Sequence, residues 1–167
     1  MTLHERMRAE EIMTRALICA SPGQDLAEVE TLLFEHRISG VPVVEEGHLV
    51  GVLSRSDIAR VLVLMNSLDG VVTDRWHGYD QADGFQHTEQ PEFQGFRQMV
   101  ARLKVRDAMH DQVVTCFTDT PVVEVAELMI RQHIHRVIVV DGDRPVGIVS
   151  SLDVVRLVAL PRPAADH

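Results

Sequence analysis

The pattern Ser-x-x-Asp occurs twice where a carboxylate could do chemistry, at Ser54 to Asp57 and at Ser150 to Asp153. Each copy follows a Val-Gly pair and two further apolar residues, and each leads into an apolar-periodic run: Ile58, Val61, Leu62 and Met65 in the first, Val154, Leu157 and Val158 in the second. That spacing predicts a strand feeding a helix whose first turn carries the acid. An aspartate there has two uses. It offsets the partial positive charge of the helix start, worth about 0.3–1 kcal/mol, or its two oxygens accept hydrogen bonds from neighbouring hydroxyls of a bound molecule. A second polar group, His133-Ile134-His135-Arg136, precedes an apolar strand-like run. The planar guanidinium fork of Arg136 matches phosphate oxygens, and the histidines add donors when protonated. Spaced i, i+2 on a strand, His133 and His135 also invite a metal reading. No cysteine or carboxylate joins them at metal-like spacing, which favours a phosphate or solvent contact. Arg136 has an equally plain reading as a strand-edge charge paired with an acid.

These groups are positioned by a repeat. Residues 43–60, VVEEGHLVGVLSRSDIAR, recur as residues 139–156, VVDGDRPVGIVSSLDVVR, an offset of 96. The offset holds upstream without a gap: Met13 with Met109, Glu28 with Glu124, Val29 with Val125, Ile38 with Ile134 and Gly51 with Gly147. Two copies predict a pseudo-symmetric pair, since solenoids usually need at least three.

Taken in order, Thr2 and Glu5 fit a capping box for a lead-in helix running to about Glu11. Leu17 to Ala20 reads as a short strand or extended segment ended by Ser21-Pro22-Gly23. Leu26, Val29, Leu32 and Leu33 mark a helix face with Asp25 as its N-cap. Val41 to Val44 and Leu49 to Leu53 read as a hairpin across Glu45 to His48, with Pro42 placing the first strand at an edge or at its own start. The second copy replays this with Val113 to Cys116, a cap at Thr118 to Pro121, a helix face of Val122, Val125 and Met129, and strands Val137 to Val140 and Val146 to Val149. Between the copies the periodicity stops. Residues 67–99 read as an inserted connector between domains at 1–66 and 100–167, with a helical stripe resuming at Phe93, Phe96, Val100 and Leu103. Its His77, Tyr79 and His87 fit loop composition better than a metal or partner site. The methionines fall on apolar stripes and read as core.

The 167 residues are 46% hydrophobic, a globular composition able to bury one core or two small ones. A formal net charge of −9 opposes attachment to a phosphate backbone, so nucleic acid is excluded as a general partner. No apolar run is long enough to cross a bilayer and the charged N-terminus is unlike a signal peptide, which predicts a cytoplasmic protein. Cys19 and Cys116 then read as buried thiols and not a disulfide.

The element order, with Met13-Thr14 or Met109-His110 in front and the Val-Gly, Ser-x-x-Asp signature near the end, resembles the cystathionine-β-synthase (CBS) domain over about residues 8–65 and 104–160. Two in tandem resemble the pair called a Bateman module. The resemblance implies a mixed α/β (α+β) fold of two β-α-β-β-α units about a pseudo-twofold axis. It also implies a regulatory ligand-binding role without catalysis, for AMP, ADP, ATP or S-adenosylmethionine, usually as a homodimer formed through helices. Carried over residue by residue, it implies two clefts. Cleft A combines Ser54, Ser56 and Asp57 with Val113, Val114, His133, His135 and Arg136. Cleft B combines Ser150 and Asp153 with Leu17, Ile18, Arg37, Ser39 and Gly40. Gly40 stands where the second copy has Arg136, so the expectation is an adenine mononucleotide in cleft A, and in cleft B either nothing or a less anionic adenosyl ligand. With no effector domain in the sequence, the target of regulation is expected to be a separate effector protein. Two other classes compete. An enzyme would need a nucleophile with its base, a Gly-rich phosphate loop or a metal set, and none is present. A dimerisation scaffold with degenerate clefts differs only in binding no ligand.

Overall fold

A computed structural model describes residues 6–68 and 101–159. The expected Thr2 cap, most of the connector with His77, Tyr79 and His87, the stripe from Phe93 to Val100 and the tail after 159 lie outside the described residues. The described elements are α1 (Ala9–Ile12), α2 (Leu26–Glu35), β1 (Gly40–Glu45), β2 (His48–Ser54), α3 (Arg55–Leu68), a 3-10 turn (Val105–Asp107), β3 (Thr115–Phe117), α4 (Val122–Gln132), β4 (Arg136–Asp141), β5 (Arg144–Ser150) and α5 (Ser151–Ala159). The second copy has the full mixed β-α-β-β-α order, and the first has its α-β-β-α part. β1 and β2 form a two-stranded sheet, and β3, β4 and β5 a three-stranded one. β3 runs parallel to β4, and β5 antiparallel to it. In the first copy the expected strand over Leu17 to Ala20 shrinks to a single parallel bridge, Ala20 to Val43, the counterpart of Cys116 opposite Val139.

The chain divides into two compact units that do not coincide with the sequence repeats. Unit 1 holds residues 1–19, 44–51 and 111–167; unit 2 holds 20–43 and 52–110. Each unit therefore joins the body of one repeat to the lead-in of the other. In unit 1 the lead-in enters the core: Ala9 and Met13 pack with Cys116, Val125, Met129 and Val137. The Ala9 and Glu10 N–H groups donate to the carbonyls of Thr120 and Thr118 at 2.9 and 3.0 Å. Met13 also explains the Val-Gly signature. A β carbon on Gly147 would lie 2.3 Å from the Met13 sulfur, so the lead-in crosses β5 where there is no side chain. In unit 2 the second lead-in does the same work, with Leu26 N–H donating to Leu103 O at 2.9 Å and Val105 N–H to Gln24 O at 3.0 Å. Leu26, Val29, Leu33, Leu53, Ile58 and Val105 are all buried there, each worth about 1.5–3 kcal/mol relative to exposure.

Two local expectations are found with altered bonding and one is corrected. Asp25 is the N-cap of α2, yet its side chain makes no capping bond, because its carboxylate instead takes Lys104 Nζ at 2.6 Å. Pro121, the last residue of the expected cap at Thr118 to Pro121, is the N-cap of α4, and Thr120 turns back to accept the Phe117 N–H at 2.9 Å. Cys19 is exposed where burial was expected, whereas Cys116 is buried and its thiol is pushed up to about 11 by desolvation. Among the described residues, no helix is long and apolar enough to cross a membrane.

Candidate functional site

Both Ser-x-x-Asp motifs sit where a strand passes directly into a helix, β2 into α3 and β5 into α5. The first turn of a helix leaves backbone donors unpaired, and in each copy the motif satisfies them by the same reciprocal box. Ser54 N–H and Ser54 Oγ donate to Asp57 Oδ2 at 2.9 and 2.6 Å, while Asp57 N–H donates to Ser54 Oγ at 3.3 Å. In the second copy Ser150 N–H and Oγ donate to Asp153 Oδ2 at 2.9 and 2.5 Å, and Asp153 N–H to Ser150 Oγ at 3.3 Å. The capping reading of the two aspartates is therefore realised. It uses Oδ2 of each carboxylate and leaves Oδ1 to other donors.

The outer oxygens differ. Asp57 Oδ1 accepts Arg60 at 3.1 Å and also His110 Nε2 at 2.6 Å. Asp153 Oδ1 accepts the equivalent Arg156 at 3.1 Å. The Asp57 side chain is 6% exposed and that of Asp153 13%. Burial pushes the pKa of Asp57 up, but the Ser54 and His110 hydrogen bonds outweigh it and hold the carboxyl below its ordinary value. His110, seated on the Asp57 carboxylate, was not among the expected site residues. Its signal was the departure from Met-Thr to Met-His, but its partner lies 53 residues away.

The remaining expected residues fall as follows. Ser54, Ser56, Asp57, Arg37, Ser39 and Gly40 belong to unit 2; Leu17, Ile18, Val113, Val114, His133, His135, Arg136, Ser150 and Asp153 belong to unit 1. Within unit 1, Arg136 stands opposite Ser150 in the β4–β5 register, so both side chains share one face beside the start of α5. Ser150 in turn holds Asp153, so Arg136 and the second serine box belong to one unit. The missing guanidinium at Gly40 has a steric cause: a β carbon there would sit 2.9 Å from the Leu53 carbonyl oxygen and 3.3 Å from Ser54 Cα. His133 and Arg37 occupy equivalent left-handed positions, each with φ of 52°, just beyond α4 and α2. His133 and His135 line an apolar groove of about 480 Å³ with Met129, Ile130, Ser151 and Val155. Among the described residues no group of three potential ligands could hold a metal ion.

A duplicated β-α-β-β-α module with a capped acid at each strand-to-helix junction defines the class, and comparison with known proteins names it. The family model for the CBS domain matches residues 9–64 and 105–160, well over half of the chain. The chain belongs to the CBS domain family, with two domains in tandem. It is 29% identical over 153 residues to protein MJ1426 of Methanocaldococcus jannaschii, covering 90% of each chain. To MJ1225 of the same organism it is 26% identical over 151 residues, spanning 90% of this chain but 46% of that protein. Among solved structures, the CBS domain pair of protein MJ0100, in complex with 5′-methylthioadenosine and S-adenosyl-L-methionine, superposes with a TM-score of 0.65 at 26% identity. It covers 92% of this chain and 96% of that one.

Proposed function

We propose that this chain is a regulatory, non-catalytic module that senses adenosine-containing molecules and reports occupancy to a separate effector by a population shift. The observation that carries the reading is the cross-strand pairing, within unit 1, of Arg136 with Ser150, the serine that holds Asp153. It stands in a chain similar, at 26% identity, to a CBS pair that holds two adenosyl ligands. The carboxylate of Asp153 accepts a ribose hydroxyl, and the Arg136 guanidinium takes a phosphate, giving AMP, ADP or ATP as the preferred ligand. S-adenosylmethionine is the second ligand class, because the MJ0100 pair holds it and 5′-methylthioadenosine, neither of which has a phosphate.

The protein acts as a homodimer in this reading. Phe34 and Ile130, equivalent in the repeat, are 75% and 73% exposed on α2 and α4, and Leu152 and Val155 on α5 are also exposed. Apolar side chains repeated at matching positions are costly unless a second copy covers them.

A thermal-shift scan with AMP, ADP, ATP, S-adenosylmethionine and NAD tests the function. Stabilisation by at least one adenosyl ligand, about 2.7 kcal/mol at a hundredfold excess over Kd, is expected. Arg136→Ala is expected to weaken AMP and leave 5′-methylthioadenosine unchanged. Absence of a shift with every ligand leaves the scaffold role in place of the sensor.

A further inference from the structure

The Asp57 carboxylate is saturated from within the chain. An ionised carboxylate offers about four acceptor directions. Asp57 fills them with Ser54 N–H, Ser54 Oγ–H, Arg60 and His110. Among the described residues Asp153 accepts three, from Ser150 twice and Arg156 once. Among the described residues, one acceptor direction on Asp153 remains for a ligand hydroxyl.

The fourth bond on Asp57 comes from a side chain whose backbone is fixed and whose ring is accessible. His110 and Val52 exchange N–H to O bonds of 2.9 Å in both directions, so the His110 Cα cannot move away without breaking a ladder. Its side chain is 48% exposed, and Nε2 lies 2.6 Å from Asp57 Oδ1 and 3.0 Å from the Arg60 guanidinium. With Asp57 ionised, Nε2 carries the proton and donates it. In unit 1 the same backbone ladder joins Thr14 and Ile148, at 2.9 and 3.0 Å, and threonine carries no imidazole.

We propose that His110 is a built-in competitor for the ribose-binding oxygen of Asp57, so that it decides which of the two repeats is occupied. The inference rests on the adenosyl-binding reading above. A ligand hydroxyl reaches Asp57 only in molecules whose His110 ring has swung off. Apparent affinity at that repeat is therefore divided by the fraction in the open rotamer. Thr14 imposes no such penalty at Asp153, which makes that repeat the one filled first.

Adenosine, which has no phosphate for Arg136 to hold, is the probe, measured by isothermal titration calorimetry on the full chain. In an Asp153→Asn background the site at Asp57 is read alone, with His110 intact, His110→Thr or His110→Gln. His110→Thr is expected to bind about tenfold tighter than the His110 chain, the gain from releasing one hydrogen bond to a charged group. His110→Gln keeps a donor and is expected to fall between the two. Equal or weaker binding by His110→Thr, while the wild-type chain binds adenosine, overturns the competitor role and leaves the sensor reading standing. If the wild-type chain binds no adenosyl ligand, both fall together.

Discussion

The two strand-to-helix junctions differ in chemistry while sharing a backbone. Around Asp57 and around Asp153 the serine box is the same to within 0.1 Å in each hydrogen bond. An arginine one turn on closes each box at 3.1 Å. Besides Arg55-Ser56 against Ser151-Leu152 inside the motif, two positions on other segments differ. Unit 2 has Gly40 and His110 where unit 1 has Arg136 and Thr14. One pair leaves no room for a side chain on β1 and fills the acid; the other supplies a guanidinium and, among the described residues, leaves an acceptor open. Duplication has preserved what the fold needs, the capped helix start, and has varied what a ligand would feel.

The largest effect expected from breaking this comparison is on stability. Asp57→Ala strands the Ser54 N–H and frees Arg60 and His110, and should cost about 3 kcal/mol in urea unfolding. Asp153→Ala, with one bond fewer and more exposure, should cost about 1.5 kcal/mol. Equal losses would erase the difference between the two boxes. Next comes Gly40→Arg, the substitution that would make unit 2 resemble unit 1. The contact of its β carbon with the Leu53 carbonyl predicts a loss of about 2 kcal/mol by thermal melting, and no new phosphate site.

The pH dependence is smaller. The folded carboxyl of Asp57 lies below its ordinary value, so its stabilising contribution is fully present above about pH 4 and is lost as pH falls through the folded value. Asp57→Asn should therefore flatten the acid limb of the stability curve; an unchanged slope would contradict the assignment. The smallest effect belongs to Lys104→Ala, which removes a half-exposed pair with Asp25 and should cost under about 1 kcal/mol.

Much of this was legible in the sequence. The gap-free offset exposed the repeat, period-2 and period-3.6 spacing located strands and helices, and the buried faces at Leu26, Val29 and Leu33 match. Those signals are local. What they could not carry is the choice of distant partners. Met13 packs under the second repeat, Lys104 takes the Asp25 carboxylate from its capping role, and His110 reaches Asp57 from the lead-in of the other repeat. Exchange of the lead-ins is a tertiary decision, invisible to periodicity. Within unit 1, Arg136 pairs with Ser150 across β4 and β5.

A crystal structure of the chain grown with AMP at one equivalent tests the central claim most directly. Density for a ribose on Asp153 with its phosphate on Arg136, and His110 still seated on Asp57, is the predicted result. A nucleotide held by Asp57 while Asp153 stays empty would contradict it.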